Sequence, residues 1–289
     1  MKIHADEVRS HERFAFGRNW QAFVPLIEQN RIDQAEHSLR SFLGDQDLDG
    51  KRFLDVGSGS GIFSLAARRA GMRVVSFDYD PASVACTEKL RRHYFDADLD
   101  WQVLEGSILD EAFVGALGQF DVVYAWGVLH HTGAMWRALE TTARLVGAGG
   151  WLIIAIYNDQ GPWSRFWRVV KRTYNGLPPW LRLPFTLVIM MPREVKMAFV
   201  PIVKFKPMSY FSQWSRSATD DKRGMNRWID MVDWIGGYPF EVAKPEEIFE
   251  FFKQRGFILE KLTTNAGELG CNEFAFRRIE ARDHRMSNR

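Results

Sequence analysis

Residues 53–61 read FLDVGSGSG, and no other stretch constrains the fold as much. An apolar run ends on an acid, Asp55, and passes into three alternating glycines, Gly57, Gly59 and Gly61. A helical pattern, IFSLAARRAG, follows at once. That order predicts a buried strand, a tight turn and a helix N-terminus. Glycine lets the backbone turn sharply and approach a ligand that side chains would exclude. A helix start offers N–H groups that have no partner inside the helix. The turn is therefore expected to cradle a nucleotide or an amino-acid carboxylate.

A glycine turn alone is weak, because dinucleotide-binding proteins use a related one. The spacing here is G-x-G-x-G rather than G-x-G-x-x-G, and no Lys-Ser/Thr follows, which argues against a P-loop. The next apolar run, RVVSFD, ends on Asp78, where a carboxylate can grip a ribose diol. WQVLEGSILD, FDVVYAWGVLHHTG and GGWLIIAIYND come next. In this order and spacing the chain resembles the class I S-adenosylmethionine-dependent methyltransferases, closely over residues 50–160 and again over 245–278. It is most similar to the ubiquinone-pathway type, the polyprenyl-hydroxyphenyl O-methyltransferases, and their small-molecule relatives.

Strands expected at 51–57, 73–78, 101–105, 120–126 and 151–157 alternate with helices at 61–70, 81–93 and 133–146. That alternation implies a parallel sheet with helices on both faces. Gly149-Gly150 is expected to break the chain before the fifth strand. A helix over 245–255 leads to strands at 257–264 and 271–278, with Gly267 and Gly270 turning the hairpin between them. The resemblance implies that the last strand runs antiparallel. The expected fold is α/β: a Rossmann-like, seven-stranded, mostly parallel sheet with an antiparallel last strand. An N-terminal helical cap occupies 1–45, the core 46–160 and 240–279, an acceptor lid 161–239 and a flexible tail 280–289.

The segment 161–214 stands apart from that alternation. It holds nine Lys/Arg against one acid, Glu194, although the whole chain nets only +2. It also carries seven of the eleven prolines and many aromatics, among them Trp163, Trp167, Trp180 and Phe185. Long insertions in compact domains are usually functional. A basic, Trp-rich, apolar segment suits a membrane interface. A soluble lid with its apolar face on the core and its basic face in water fits equally well. An RNA face of basic and stacking residues ranks third, because the many aliphatics suit a polar groove poorly. No apolar run reaches the ~20 residues needed to span a bilayer. The charged start, MKIHADEVRSHERF, is too charged to be expected as a signal peptide. Cys86 and Cys271 lie far apart without metal spacing, as in a cytoplasmic protein with reduced thiols. The expected location is cytoplasmic, with peripheral contact to the inner membrane face if the segment binds lipid.

The resemblance implies S-adenosylmethionine as cofactor and assigns residues to it. Gly57, Ser58, Gly59 and Gly61 pass beneath its methionine part and ribose. Asp55 orients the turn and Asp78 accepts the ribose hydroxyls. Tyr79 flanks the adenine, and Asp80 caps the helix before Pro81. Ser107 and Ile108 follow the third strand near the adenine, where many relatives carry an acid. Ala125 and Trp126 line the methionine end, and Arg18 and Trp20 in the cap are candidates for closing over the cofactor. His130 and His131 follow the fourth strand, and His131 is the favoured base or substrate ligand, since histidine titrates near neutrality. Tyr157, Asn158 and Asp159 leave the fifth strand on the side where open α/β sheets bind ligands. Asp233 and Tyr238 are further substrate candidates. No metal ligand set emerges. The expected reaction is methyl transfer to an oxygen of a small or lipid-linked, quinone-precursor-like acceptor. A sugar or secondary-metabolite acceptor, an RNA acceptor and a cofactor-binding scaffold are the alternatives.

Overall fold

Apolar strands and amphipathic helices alternate through a single seven-stranded sheet of order β3-β2-β1-β4-β5-β7-β6 in the computed structural model. The structure describes residues 4–23, 27–96, 99–203, 227–265 and 270–280. The strands are β1 (Arg52–Val56), β2 (Arg73–Asp78), β3 (Trp101–Glu105), β4 (Phe120–Trp126), β5 (Val146–Tyr157), β6 (Phe257–Thr263) and β7 (Cys271–Arg278). Strands β1 to β5 pair in parallel, and β7 pairs antiparallel with both β5 and β6. The expected class, strand count and antiparallel last strand are all present.

Side-chain alternation sends each strand's residues to two cores. Leu54, Val56, Val123, Ala125, Leu152, Ile154, Phe274 and Phe276 pack on one face. Phe53, Val122, Tyr124, Ile153 and Ala275 pack on the other. Residues Leu152–Ile156 are fully buried, because helices cover both faces of a central parallel strand. The helices of this core are α2 (Phe16–Phe23), α3 (Gln29–Leu43), α4 (Ile62–Arg69), α5 (Pro81–Tyr94), α6 (Glu111–Leu117), α7 (Met135–Leu145) and α11 (Pro245–Lys253). Asp80 caps α5 by accepting the Ala82 N–H at 2.9 Å, as its position before Pro81 implies.

One local expectation fails, and one helix is additional to those expected. Gly149-Gly150 does not break the chain: β5 runs unbroken from Val146, with a register shift against β4 between Phe120 and Val122. A Cβ on Gly150 would stand 3.0 Å from the Asp121 carbonyl oxygen, so the glycines permit a bulge with close backbone approach. Helix α6 has no counterpart in the sequence reading. It is one short stretch carrying Gly115, fixed by Asp110, which accepts the Ala112 N–H at 3.0 Å and the Phe113 N–H at 3.2 Å.

Contacts divide the chain into Met1–Phe14 with Phe166–Tyr238, and Ala15–Arg165 with Pro239–Arg289. The smaller unit contains α1 (His4–Arg9), α9 (Pro179–Val203), α10 (Arg227–Gly236) and most of α8 (Pro162–Gly176). Within it Asn175 donates to the Gly236 carbonyl at 2.7 Å, and the buried Lys171 amine donates to the Trp234 carbonyl and sits 4.6 Å over the Trp234 ring. Arg182 donates to the carbonyls of Leu177 and Asn175, closing the end of α8 rather than standing in water. Along α9, Trp180, Leu183, Leu187, Met191 and Val195 recur at helical spacing and are each more than half exposed. Among the described residues no helix is long and apolar enough to cross a membrane. Gly267 and the tail beyond 280 lie outside the described residues.

Candidate active site

Strand order reverses between β1 and β4, and the crevice at the carboxyl ends of such strands is where open α/β sheets bind ligands. The glycine turn sits there. Gly57, Gly59 and Gly61 have φ of 73°, 55° and 82°, a region other residues adopt only with strain. The turn is tied down from within: Gly57 and Ser58 N–H groups donate to the Phe77 carbonyl, Gly61 N–H to the Ser58 carbonyl, and Gly59 N–H to Asp78 Oδ2 at 3.0 Å. These four amides are engaged, so the turn offers a shaped surface more than an anion nest.

Two carboxylates stand at this surface. Asp78 ends β2, and its Oδ1 accepts the Asp80 N–H at 2.9 Å. Burial pushes its pKa up to about 6, against the opposing pull of the Asp80 and Gly59 N–H groups. Asp55 is buried in β1, beside Ser76 of β2. Burial pushes it up to about 7, the Ser64 hydroxyl pulls it down, and the charge of Asp78 adds to the rise. Behind Asp55 runs a buried relay. Trp101 Nε1 donates to Ser76 Oγ at 2.8 Å, Ser76 and Ser64 hydroxyls lie 2.6 Å apart, and Ser64 Oγ donates to Asp55 Oδ2 at 2.6 Å. Because each hydroxyl has one proton, Ser76 must donate to Ser64. The relay fixes Asp55 without a cation.

This donor set fits S-adenosylmethionine, the cofactor implied by the resemblance. Two acids with raised pKa values favour a ligand with sulfonium and ammonium charges, and an ionised Asp78 accepts hydroxyls. The same two acids, together with turn amides already engaged, disfavour the pyrophosphate of a dinucleotide.

Helix α2 lies over the turn. The Gly17 N–H donates to Asp80 Oδ2 at 2.8 Å, the Trp20 ring lies 3.0 Å from where a Gly59 Cβ would be, and the Phe16 ring is 4.8 Å from that of His131. Phe16 and Gly17 were not singled out in the sequence. Their spacing with Trp20 at i, i+1 and i+4 on one helix was the available signal. Arg18 lies in α2, but its side chain is outside the described residues.

Several candidates turn away from the turn. The Ser58 hydroxyl lies 2.8 Å from Thr87 Oγ1, pinning the turn to α5. Ser107 Oγ accepts the Leu109 N–H at 3.2 Å and so serves its own loop. The side chains of Ile108 and Ala125 join the buried core on the opposite face. Tyr79 and Trp126 are half-buried beside Asp78 and at the end of β4.

Beyond β4 the chain forms a 3₁₀ turn, Leu129–His131, with both histidines buried. His131 Nδ1 lies 2.6 Å from the Pro239 carbonyl oxygen. A carbonyl only accepts, so Nδ1 carries a proton and the neutral ring keeps its lone pair on Nε2. His130 packs against Tyr157, ring centroids 4.0 Å apart, and Tyr157 packs on Phe240 at 5.3 Å. Asn158 accepts from Asn272 Nδ2 at 3.1 Å, and Asp159 Oδ1 accepts the Gly161 N–H at 2.9 Å, closing a turn. Asp233 is buried and Tyr238 half-buried in the smaller unit. Among the described residues no group of three or more His, Cys, Asp or Glu is placed to hold a metal.

The chain is 31% identical over 126 residues to a ribosomal protein L11 methyltransferase of Helicobacter hepaticus, 43% of this chain and 35% of that one. It is 30% identical over 166 residues to a ubiquinone biosynthesis O-methyltransferase of a Methylobacterium species, 54% of this chain and 64% of that one. It thus spans about a third of the first relative and just under two thirds of the second. The magnesium protoporphyrin IX methyltransferase of Synechocystis superposes with a TM-score of 0.50 at 14% identity, covering 86% of this chain and 84% of that one. A cyclase superposes as well, also at 0.50 with 13% identity, so this likeness is one of fold. A family model described as a methyltransferase domain matches residues 27–185, more than half of the sequence. The chain belongs to that methyltransferase-domain family.

Proposed function

We propose that this protein binds S-adenosylmethionine on the glycine turn and transfers its methyl group to an oxygen of a small-molecule or lipid-linked acceptor. The observation that carries the reading is the presence of two carboxylates, Asp55 and Asp78, near the carboxyl ends of adjacent strands, beside a turn of three left-handed glycines. The cofactor, when bound, supplies a methyl group on a sulfonium. Asp78 holds the ribose hydroxyls. Asp55, steadied by Ser64 and its relay, faces the cationic methionine end. Trp126, Tyr79 and the α2 residues Phe16 and Trp20 exclude water. His131, its proton held at Nδ1, takes the acceptor's proton at Nε2 as the oxygen is methylated. Tyr157, Asn158 and Asp159 are the proposed acceptor contacts of the larger unit, and Asp233 and Tyr238 are each proposed as acceptor-binding on the smaller unit, taken by itself.

Oxygen as the target, and a quinone-precursor-like acceptor, are supported by the ubiquinone O-methyltransferase relatives, the Methylobacterium one at 30% identity. The exposed apolar stripe of α9 favours a lipid-linked acceptor and contact with a membrane surface. The test is methyl-labelled S-adenosylmethionine with purified protein and a cell extract, followed by separation of lipid, small-molecule, protein and RNA fractions. Label in the lipid fraction supports the lipid-linked acceptor, and label in the water-soluble fraction points to sugars or other metabolites. Label in RNA or protein overturns the small-molecule reading, and cofactor binding with no transfer into any fraction leaves a scaffold. In the same assay, His131→Ala is expected to cut turnover about a hundredfold, at the low end of general-base contributions, with cofactor affinity unchanged. Wild-type turnover in that variant refutes the base.

A further inference from the structure

The histidine turn is gripped by one short segment, residues 239–243, from more than a hundred residues away. The Pro239 carbonyl accepts His131 Nδ1–H at 2.6 Å. The Glu241 N–H donates to the His130 carbonyl at 3.0 Å. The Glu241 carboxylate accepts the Met135 N–H at 3.0 Å. The Phe240 ring lies between these two anchors in sequence and packs on Tyr157, which packs on both histidines. A Cβ on Gly133 would meet the Pro239 ring at 3.4 Å, ordinary contact distance, so the segment lies directly on the loop that joins the histidines to α7.

Of the three hydrogen bonds just described, the one to Met135 is accepted by a side chain of the segment, and it falls where α7 needs it. Helix α7 begins at Met135 after Ala134, which provides no side-chain cap. An uncapped N-terminus leaves N–H donors and the positive end of the helix dipole without compensation. Glu241 supplies a carboxylate there from a distant part of the chain. Its backbone at the same time binds the His130 carbonyl. One residue therefore fastens both ends of the 130–135 stretch, and two residues before it comes the carbonyl that decides which nitrogen of His131 is protonated.

We propose that Glu241 is a positioning residue for His131: by anchoring residues 239–243 on the start of α7, it holds the Pro239 carbonyl on Nδ1 and keeps the lone pair on Nε2. The inference deepens the reading of His131 as base and rests on it for its consequence in turnover, though not for its structural content. Loss of the Glu241 carboxylate removes the cap of α7, lets the segment lift, and frees the imidazole to exchange its proton between both nitrogens. Glutamine retains a carbonyl oxygen that accepts the Met135 N–H, so Glu241→Gln preserves the arrangement.

The experiment is nitrogen-15 NMR of ring-labelled histidine in the full-length protein at a pH where His131 is neutral, with His131→Gln used to assign its signals. Wild type is expected to show one pyrrole-like nitrogen at Nδ1 and one pyridine-like nitrogen at Nε2. In Glu241→Ala the two signals move toward each other as tautomers mix, and Glu241→Gln restores them. Turnover in Glu241→Ala falls about tenfold, a part of what a positioned general base contributes. An Nε2–H tautomer in wild type, or unchanged ring signals in Glu241→Ala, overturns the proposal. If the alanine variant does not fold, Glu241→Asp, one methylene shorter, is measured instead, and unchanged signals there also overturn it. Should His131→Ala retain wild-type turnover while the ring signals respond to Glu241, the base reading fails and the positioning stands.

Discussion

Asp78 and Asp55 carry opposite demands. Binding a diol and a cation calls for ionised carboxylates, yet burial lifts the two groups to about 6 and about 7. A bound cation favours the charged forms and lowers both pKa values, so binding near pH 6.5 should expel protons. Calorimetry in buffers of different ionisation enthalpy measures this: proton release is expected, with affinity rising from pH 5.5 to a plateau above 7. Proton uptake would contradict the assignment. Stability without ligand runs the other way. A raised carboxylate pKa means that the folded state binds more protons than the unfolded one between about 4 and 7, so this contribution falls as pH rises through that window. Asp55→Asn should flatten that part of the stability–pH curve in thermal melts. Asp78→Ala removes a charged acceptor and should weaken cofactor binding roughly ten- to a hundredfold, since such hydrogen bonds are worth ~1.5–3 kcal/mol.

At the scale of elements, what the sequence disclosed was local. The run from Phe53 to Gly61 reads as strand, turn and helix because each signal lies within a few residues of the next, and Asp80 before Pro81 is a cap for the same reason. Motif position gives the backbone's location and not the direction of Cβ, so the contacts of the Ser58 hydroxyl with Thr87 and of the Ser107 hydroxyl with Leu109, and the packing of Ala125 in the core, were not legible in it. The grip of residues 239–243 on the histidines was illegible, since 108 residues separate His131 from Pro239 and no periodicity spans them. The seat of α2 was likewise hidden, although it leaves a clear test. A Cβ at Gly17 would stand 2.6 Å from the Ala82 Cβ and 2.7 Å from Asp80 Oδ2. Gly17→Val should therefore unseat α2 from α5, increasing amide exchange in residues 16–23 and weakening cofactor binding while the sheet's exchange stays unchanged. Protection of α2 at the wild-type level would show that the helix is held elsewhere.

For the whole molecule, the exposed stripe of α9 matters more than net charge. Fully burying one large apolar side chain contributes ~1.5–3 kcal/mol, and because these five are about half to three-quarters exposed, their combined contribution on a bilayer is expected to exceed that of any single one. Co-flotation with anionic liposomes at low salt is expected, and Leu187→Glu with Met191→Glu should abolish it while label transfer to a short, soluble acceptor persists. Absence of flotation at low salt removes the membrane reading. The position of α2 over the glycine turn has a kinetic counterpart. Entry of the cofactor onto a turn overlaid by Trp20, beside a histidine packed against Phe16, is expected to require that helix to swing aside. Cofactor association should then saturate: the observed rate in stopped flow climbs with ligand concentration and levels off at the opening rate of the helix. Gly17→Val, with its helix already loosened, should raise that ceiling, trading residence time for speed of entry.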